Sequence, residues 1–399
     1  VSAGPRRCYL HVGLPKTGTS YLQSVVWASR EQLEAQGLRL LMDRPADHFH
    51  ATLALRGMLS EQMDPQEAFS ALDRLAASAA DGSDVLLTHE SLAPATVEQV
   101  AQMVGLVPGF EVHVVVTARD LARQITSGWQ QRIQERQVHA YDEFVEAVVQ
   151  RRPMADDFWR NQDLVDVARR WSSAVPAERV HVVTVPPPGS APGLLLDRFC
   201  AVLGVDPGRL SMTAVQSNES LGMVQAELLR RVNVALGDRL PHARAGYARV
   251  GKGFLARRVL APQNGEPPRL PPEVERWCVS RSMEVVQQLG TAGYHIVGDL
   301  KELIPTPGGG GTARPAGTAE PVSDAALLRS AVEAMADVLE IRSEDVQRLD
   351  SLRERVRAQS ERIASLTAAT AGTEPASRLP AWRRARSQAG RAVRRLRRR

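Results

Sequence analysis

Lysine is almost missing from this 399-residue chain: Lys16, Lys252 and Lys301 stand against 47 arginines. A GC-rich genome explains such a bias. It also makes each lysine informative, because a compact ammonium and a planar guanidinium suit different tasks. Cysteine is scarce as well. Cys8, Cys200 and Cys278 are an odd number without metal-site spacing, which excludes a disulfide framework and points to a reducing compartment. Aromatic residues make up only 5% of the chain, while 29 glycines and 25 prolines interrupt it throughout; a continuous fibrous rod is excluded. No apolar run approaches the roughly 18 residues of a membrane-spanning helix.

The net charge of +5 has to be divided before it means anything. Residues 375–399 hold ten arginines and no acid, which leaves residues 1–374 at a net −5. The basicity therefore belongs to a tail and says little about the body.

Along residues 1–304, short β-branched runs at 8–12, 38–42, 84–88, 111–117 and 179–185 alternate with helical patterns at 20–36, 65–80, 96–104, 121–134 and 164–174. Continuously apolar strands such as Val112-His-Val-Val-Val-Thr117 fit a sheet buried on both faces, and the alternation makes it parallel. The expectation is one three-layer α/β domain with a five-stranded parallel sheet, with residues 206–303 as helical capping. Ligands in such sheets gather at the carboxyl ends of the strands. Residues 305–323 read as a Pro/Gly linker. Residues 324–368 read as one helix or short coiled coil: Leu328, Val332, Met335, Leu339, Val346 and Leu349 keep a 4-3 spacing, with Arg342 in the seam. Leu352, Val356, Gln359, Ile363 and Leu366 continue in a shifted register, which suits a modest coiled coil, and with it homo-oligomerisation, or a helix docked elsewhere. Residues 369–399 read as a disordered Arg-rich tail, expected to seek an anionic membrane surface rather than nucleic acid.

The strongest local pattern is Gly13-Leu-Pro-Lys-Thr-Gly-Thr-Ser20, which follows a strand and opens an amphipathic helix. Gly13, Gly18 and Ser20 match a Walker loop, but Thr19 holds the lysine position and the lysine sits earlier, at Lys16. The backbone logic survives, since small residues let successive N–H groups face an anion at a helix N-terminus. This segment resembles the phosphosulfate-binding loop of the sulfotransferases, which use 3′-phosphoadenosine 5′-phosphosulfate (PAPS) as donor. The resemblance implies a P-loop NTPase-like fold. It also implies donor binding by Pro15, Lys16, Thr17, Gly18, Thr19 and Ser20, with Lys16 stabilising charge on the bridging oxygen, and no metal. The flanking sequence is similar to actinobacterial members of that family.

Two further segments carry the resemblance. The strand at 111–117 runs into Arg119, and Ser127 follows eight residues later. That spacing resembles the family's 3′-phosphate site, where an arginine offers a bidentate fork. Val250-Gly-Lys-Gly-Phe254 resembles the late Arg-Lys-Gly segment, with Gly251 in place of the arginine; it assigns Lys252 and Gly253 to donor binding.

The acceptor hydroxyl needs a base, and His89 and Glu90 follow the strand at 84–88. His89 is favoured because imidazole needs little tuning near neutral pH, whereas Glu90 needs burial to raise its pKa. His48 and His50, in a segment read as a loop, are the next candidates. Arg123, Gln124, Trp129 and Arg132 can line the acceptor site, and Trp129 can equally pack in the core. The resulting expectation is sulfuryl transfer from PAPS to a hydroxyl on a small molecule or a glycan. The setting is the cytoplasm, with the tail able to hold the chain to the inner face of the plasma membrane. Two alternatives stand beside it: a P-loop kinase, disfavoured by Thr19 in the lysine position, and an inactive sulfotransferase-like scaffold.

Overall fold

The valine-rich segments assemble into a wholly parallel sheet. In chain order its strands are β1 (Arg7–Gly13), β2 (Leu38–Leu40), β3 (Asp84–Thr88), β4 (Glu111–Ala118), β5 (Val180–Thr184) and β6 (His295–Val297), arranged 2-3-1-4-5-6. This computed structural model describes residues 5–58, 70, 73–74, 83–212, 220–240, 244–306 and 322–371. Most of the helix expected over 65–80, most of the linker and the arginine-rich tail lie outside the described residues.

The helices are α1 (Thr19–Ala28), α2 (Arg30–Glu34), α3 (Pro45–Leu55), α4 (Val97–Gly105), α5 (Leu121–Gln134), α6 (Tyr141–Val149) and α7 (Asp156–Gln162). They continue as α8 (Leu164–Ser172), α9 (Leu194–Leu203), α10 (Met223–Leu236), α11 (Pro272–Thr291) and α12 (Asp324–Ala371), with a π-helical segment at Ala248–Leu260 between α10 and α11.

Alternation along each strand divides the core in two. Leu10 and Val12 of β1, Val114 and Val116 of β4, and Val182 of β5 face one side, under Val100 and Met103 of α4, Val167 and Trp171 of α8, and Leu289 of α11. Tyr9, Leu86, Val115 and Val183 face the other, under Leu22 and Val25 of α1, Leu33 of α2 and Phe199 of α9. Burial on both faces is why these strands are almost unbroken apolar runs.

The sheet has six strands, not five. The sixth was hidden because it is three residues long, half-exposed and lies at the edge, between Gly293 and Gly298, both with positive φ. Gly298 also permits a close approach: a Cβ there would lie 2.1 Å from Thr184 Oγ1. The single helix expected over 20–36 is two helices, broken at Ser29 (φ −106°, ψ 22°), whose buried hydroxyl accepts the Ser211 N–H at 2.8 Å. His48 and His50 lie on α3 rather than in a loop; proline at the first turn of a helix is compatible with it.

The chain divides into a unit at Val1–Val332 and a second at Glu333–Arg399. Within the first, the start of α12 buries Leu327 and Ser330, and Ser330 Oγ donates to Gln263 Oε1 at 2.5 Å. The described part of the second unit is the remainder of α12, on which the heptad-like apolar positions from Met335 to Ile363 are solvent-exposed. Among the described residues, no helix is long and apolar enough to cross a membrane.

Phe199 closes the core beneath β1, fully buried and edge-on to the His11 ring at 4.9 Å. Phe199→Ala is expected to lower unfolding free energy in urea by about 3–5 kcal/mol. Met283→Ala, 58% exposed on α11, should change it by less than about 0.5 kcal/mol. Equal effects would contradict this placement of the core.

Candidate active site

The phosphate-loop candidate sits where the topology directs a ligand, at the carboxyl end of the central strand β1, between the ends of β3 and β4. The loop is bound to β4 rather than merely following β1. Leu14 N–H donates to Thr117 O (2.8 Å), Thr117 Oγ1 donates to Gly13 O (2.9 Å), and the Thr17 and Thr117 hydroxyls meet at 2.6 Å. Beneath them the buried His11 ring joins Thr88 Oγ1 (2.8 Å) to Thr117 Oγ1 (3.4 Å). Burial lowers the His11 pKa to about 4, so it is a neutral connector between strands. On the outer side, Gln124 and Gln162 both donate to Pro15 O, at 3.3 and 3.0 Å.

Two backbone features shape the loop. Lys16 adopts φ +66° and Gly18 φ +84°, so the chain turns through two left-handed residues before α1 begins. Gly13 takes φ +118°, a conformation strained for any residue with a side chain, and a Cβ there would lie tightly, 3.3 Å from Pro15 N. The result is a helix N-terminus without a side-chain cap and without an acid in its first turn. Its leading N–H groups are available to an anion.

Cations gather at this already positive helix end. Burial, with the charges of Lys252, Arg119 and Arg257 next, lowers the Lys16 pKa to about 8; only Glu135 acts in the other direction. Arg119 leaves the end of β4 and its Nη2 donates to Ser127 Oγ (2.6 Å), to Arg123 O (2.8 Å) and to Gln124 Oε1 (3.0 Å). The Arg119–Ser127 pair read from spacing is therefore a contact. Burial and the charge of Arg123 lower the Arg119 pKa to about 10, and its Nε–H is buried with no partner among the described residues.

Lys252 and Gly253 lie in the π-helical segment. α10 and α5 position that segment: Tyr247 OH donates to Asn233 Oδ1, and Asn233 Nδ2 donates to Ile133 O (2.8 Å). Gly251 is required there, because a Cβ would run into the Tyr247 ring at 2.4 Å. Lys252 Nζ stands 3.9 Å from Glu135 Oε1.

His89 and Glu90 lie at the end of β3, beside the loop. His89 N–H donates to His11 O (3.0 Å). Its Nδ1 accepts the Ser91 N–H (3.1 Å), and its ring lies 5.2 Å from that of Phe49. A neutral ring accepting at Nδ1 carries its proton on Nε2. Burial lowers the His89 pKa, although Glu90 acts against this. Glu90 Oε2 accepts from Gln23 of α1 at 2.9 Å. Burial pushes the Glu90 carboxyl up, but His89, its own backbone N–H, Gln23 and His11 together hold it below the ordinary carboxylate range. Burial was expected to raise Glu90; its neighbours reverse the sign.

The remaining candidates lie on α3 and α5. His48 is buried, with Nε2 2.5 Å from Leu41 O and Nδ1 3.3 Å from the backbone of Thr88, so it is a core histidine. His50 also lies on α3, 6.0 Å ring to ring from Phe49. Gln124 is buried and holds the loop through Pro15 O. Trp129 packs in the core against Tyr141, its Nε1–H on His139 O at 3.1 Å. Arg123 pairs with Asp120, and Arg132 lies over the Phe144 ring at 5.5 Å.

Sequence reading missed His11, Thr117, Gln162 and Arg257. Only His11 left a signal there, as a polar residue in an otherwise apolar strand. Among the described residues, no group of three or more His, Cys, Asp or Glu is arranged to hold a metal ion. A cleft of about 500 Å³ lined by Arg151, Trp159, Arg169 and Arg281 includes none of the loop residues.

The depressed Lys16 pKa has a testable sign. The folded chain binds this proton only below about pH 8, whereas an ordinary lysine binds it below 10.5. The site therefore lowers stability at neutral pH, and the penalty fades as pH rises from about 8 through 10.5. Ligand-free Lys16→Met is expected to be more stable than the parent at pH 7, with the difference shrinking towards pH 10. An equal or lower melting temperature at pH 7 would contradict a desolvated Lys16.

No family model matches the chain, and no curated protein does. Among solved structures, a sulfotransferase from Alicyclobacillus acidocaldarius is similar to it at 16% identity and a TM-score of 0.35, over 63% of this chain and 99% of that one. A likeness this distant leaves the site to be read from its own geometry.

Proposed function

We propose that this chain transfers the sulfuryl group of PAPS to an acceptor hydroxyl. The observation that carries the reading is the junction of two anion-binding elements at neighbouring strand ends: the Lys16 loop after β1, and the Arg119–Ser127 pair after β4 (2.6 Å). A nucleotide with phosphates on both its 5′ and 3′ positions needs two such sites, with the ribose between them. In this reading the N–H groups of residues 17–20 and the Lys16 ammonium take the 5′-phosphosulfate. Arg119 and Ser127 take the 3′-phosphate, supported by Lys252.

The acceptor oxygen attacks sulfur in line as the bond from sulfur to the bridging oxygen breaks. The leaving phosphate keeps the electron pair, and Lys16 stabilises the charge that develops on it. The acceptor proton goes to a base, and hydrogen bonding favours Glu90 over His89. Glu90 is held ionised next to the loop. His89 spends Nδ1 on Ser91 N–H, so its free nitrogen bears a proton and suits donation or orientation. A kinase reading is weaker: Thr19 replaces the Walker lysine, and the second phosphate site would have no γ-phosphate role.

Calorimetry with adenosine 3′,5′-bisphosphate should show at least about tenfold tighter binding than with 5′-AMP, equal to about 1.4 kcal/mol. Arg119→Ala should erase most of that preference, and equal affinities in the parent protein would refute the assignment. In turnover, Glu90→Gln is expected to cost about 10²–10⁴ in rate with donor affinity retained, and His89→Asn less. The reverse ranking would return the base to His89. Lys16→Ala should reduce turnover more than donor affinity, because its contact strengthens as the leaving group gains charge.

A further inference from the structure

The second unit presents an apolar stripe to water. Met335, Leu339, Val346, Leu352, Val356 and Ile363 are all exposed, from 43% at Leu352 to 71% at Leu339. Residues 333–367 extend about 50 Å as a helix, and an isolated helix in water gains little from its own hydrogen bonds. Exposed apolar groups at coiled-coil spacing call for a second helix.

The stripe is symmetric about Leu349. Val346 and Leu352 lie three residues to either side, Arg342 and Val356 seven, Leu339 and Gln359 ten, Met335 and Ile363 fourteen. A second copy centred on Leu349 therefore meets the stripe in either direction, and charge decides which. An antiparallel copy keeps its layers apolar except where Arg342 faces Val356 of the partner subunit and Gln359 faces Leu339 of the partner subunit. Residues 333–346 hold five acids and one arginine, a net −4; residues 347–367 hold five arginines and three acids, a net +2. A parallel copy in register would set Asp345 beside Asp350 of the partner subunit, and Arg348 beside Arg353 of the partner subunit. It would offer no opposite pair at those flanking positions. An antiparallel copy lays the acidic half of each helix along the basic half of the other.

We propose that two copies of this chain join through α12 as an antiparallel helix pair centred on Leu349. Sedimentation equilibrium of the full chain should give twice its 43.6 kDa mass. Leu349→Asp with Val346→Asp should weaken association at least tenfold and leave thermal unfolding of the α/β unit unchanged. Direction is read from a spin label at Glu333→Cys, which is selective because the three native cysteines are buried. Antiparallel pairing separates the two labels by about 48 Å along the axis, whereas parallel pairing keeps them within about 20 Å. Any of four results overturns the proposal: a monomer at every concentration reached, a dimer with the short label distance, a dimer that survives the double substitution, or a monomer that pellets with anionic vesicles through this stripe.

Discussion

Positive charge gathered at the positive end of a helix is the constraint on which the rest of this structure depends. α1 begins without a side-chain cap or an acid, and Lys252, Arg119 and Arg257 all act on Lys16 there, with Glu135 as a partial counterweight. Such an arrangement costs stability in the empty protein, since the helix end, the like charges and the lost hydration all oppose Lys16. An anion relieves all three at once.

Holding that arrangement together requires a rigid frame, and the frame is the pairing of the loop with β4. Thr117 alone contacts Leu14, Gly13 and Thr17, and the neutral His11 ring ties it to β3 through Thr88. The ends of β1, β3 and β4 thus form one hydrogen-bonded unit, so Lys16, Glu90 and Arg119 cannot drift independently. Gln124 and Gln162 add a second clamp on Pro15 from α5 and α7. Buried polar groups satisfied this completely give geometric definition rather than net stability.

The second unit follows a different logic. The α/β body buries nearly every large apolar side chain its sheet presents, whereas α12 leaves its stripe uncovered. Its charge is divided unevenly along the helix, net −4 over residues 333–346 and net +2 over 347–367.

Much of this was legible in the residues. Gly13-Leu-Pro-Lys-Thr-Gly-Thr-Ser20 announces a strand–loop–helix turn, because few residues besides glycine take φ above +80°, as Gly13 and Gly18 do. The valine runs announced a parallel sheet buried on both faces, and the Arg119–Ser127 spacing placed the residue after β4 within reach of the second turn of α5. Tertiary structure alone decided the rest. β6 is three residues at an exposed edge and leaves too little pattern to read. His48 resembled a surface residue until α3 folded it against Leu41 and Thr88. Gln162 reaches Pro15 across 147 positions of chain, a separation no local spacing encodes. The direction of the Glu90 shift likewise depends on its neighbour His89 and on Gln23, brought from α1, which help to outweigh its burial. Local patterns record what a backbone segment needs for itself; the protonation and orientation of a buried side chain are set by neighbours brought from elsewhere in the chain.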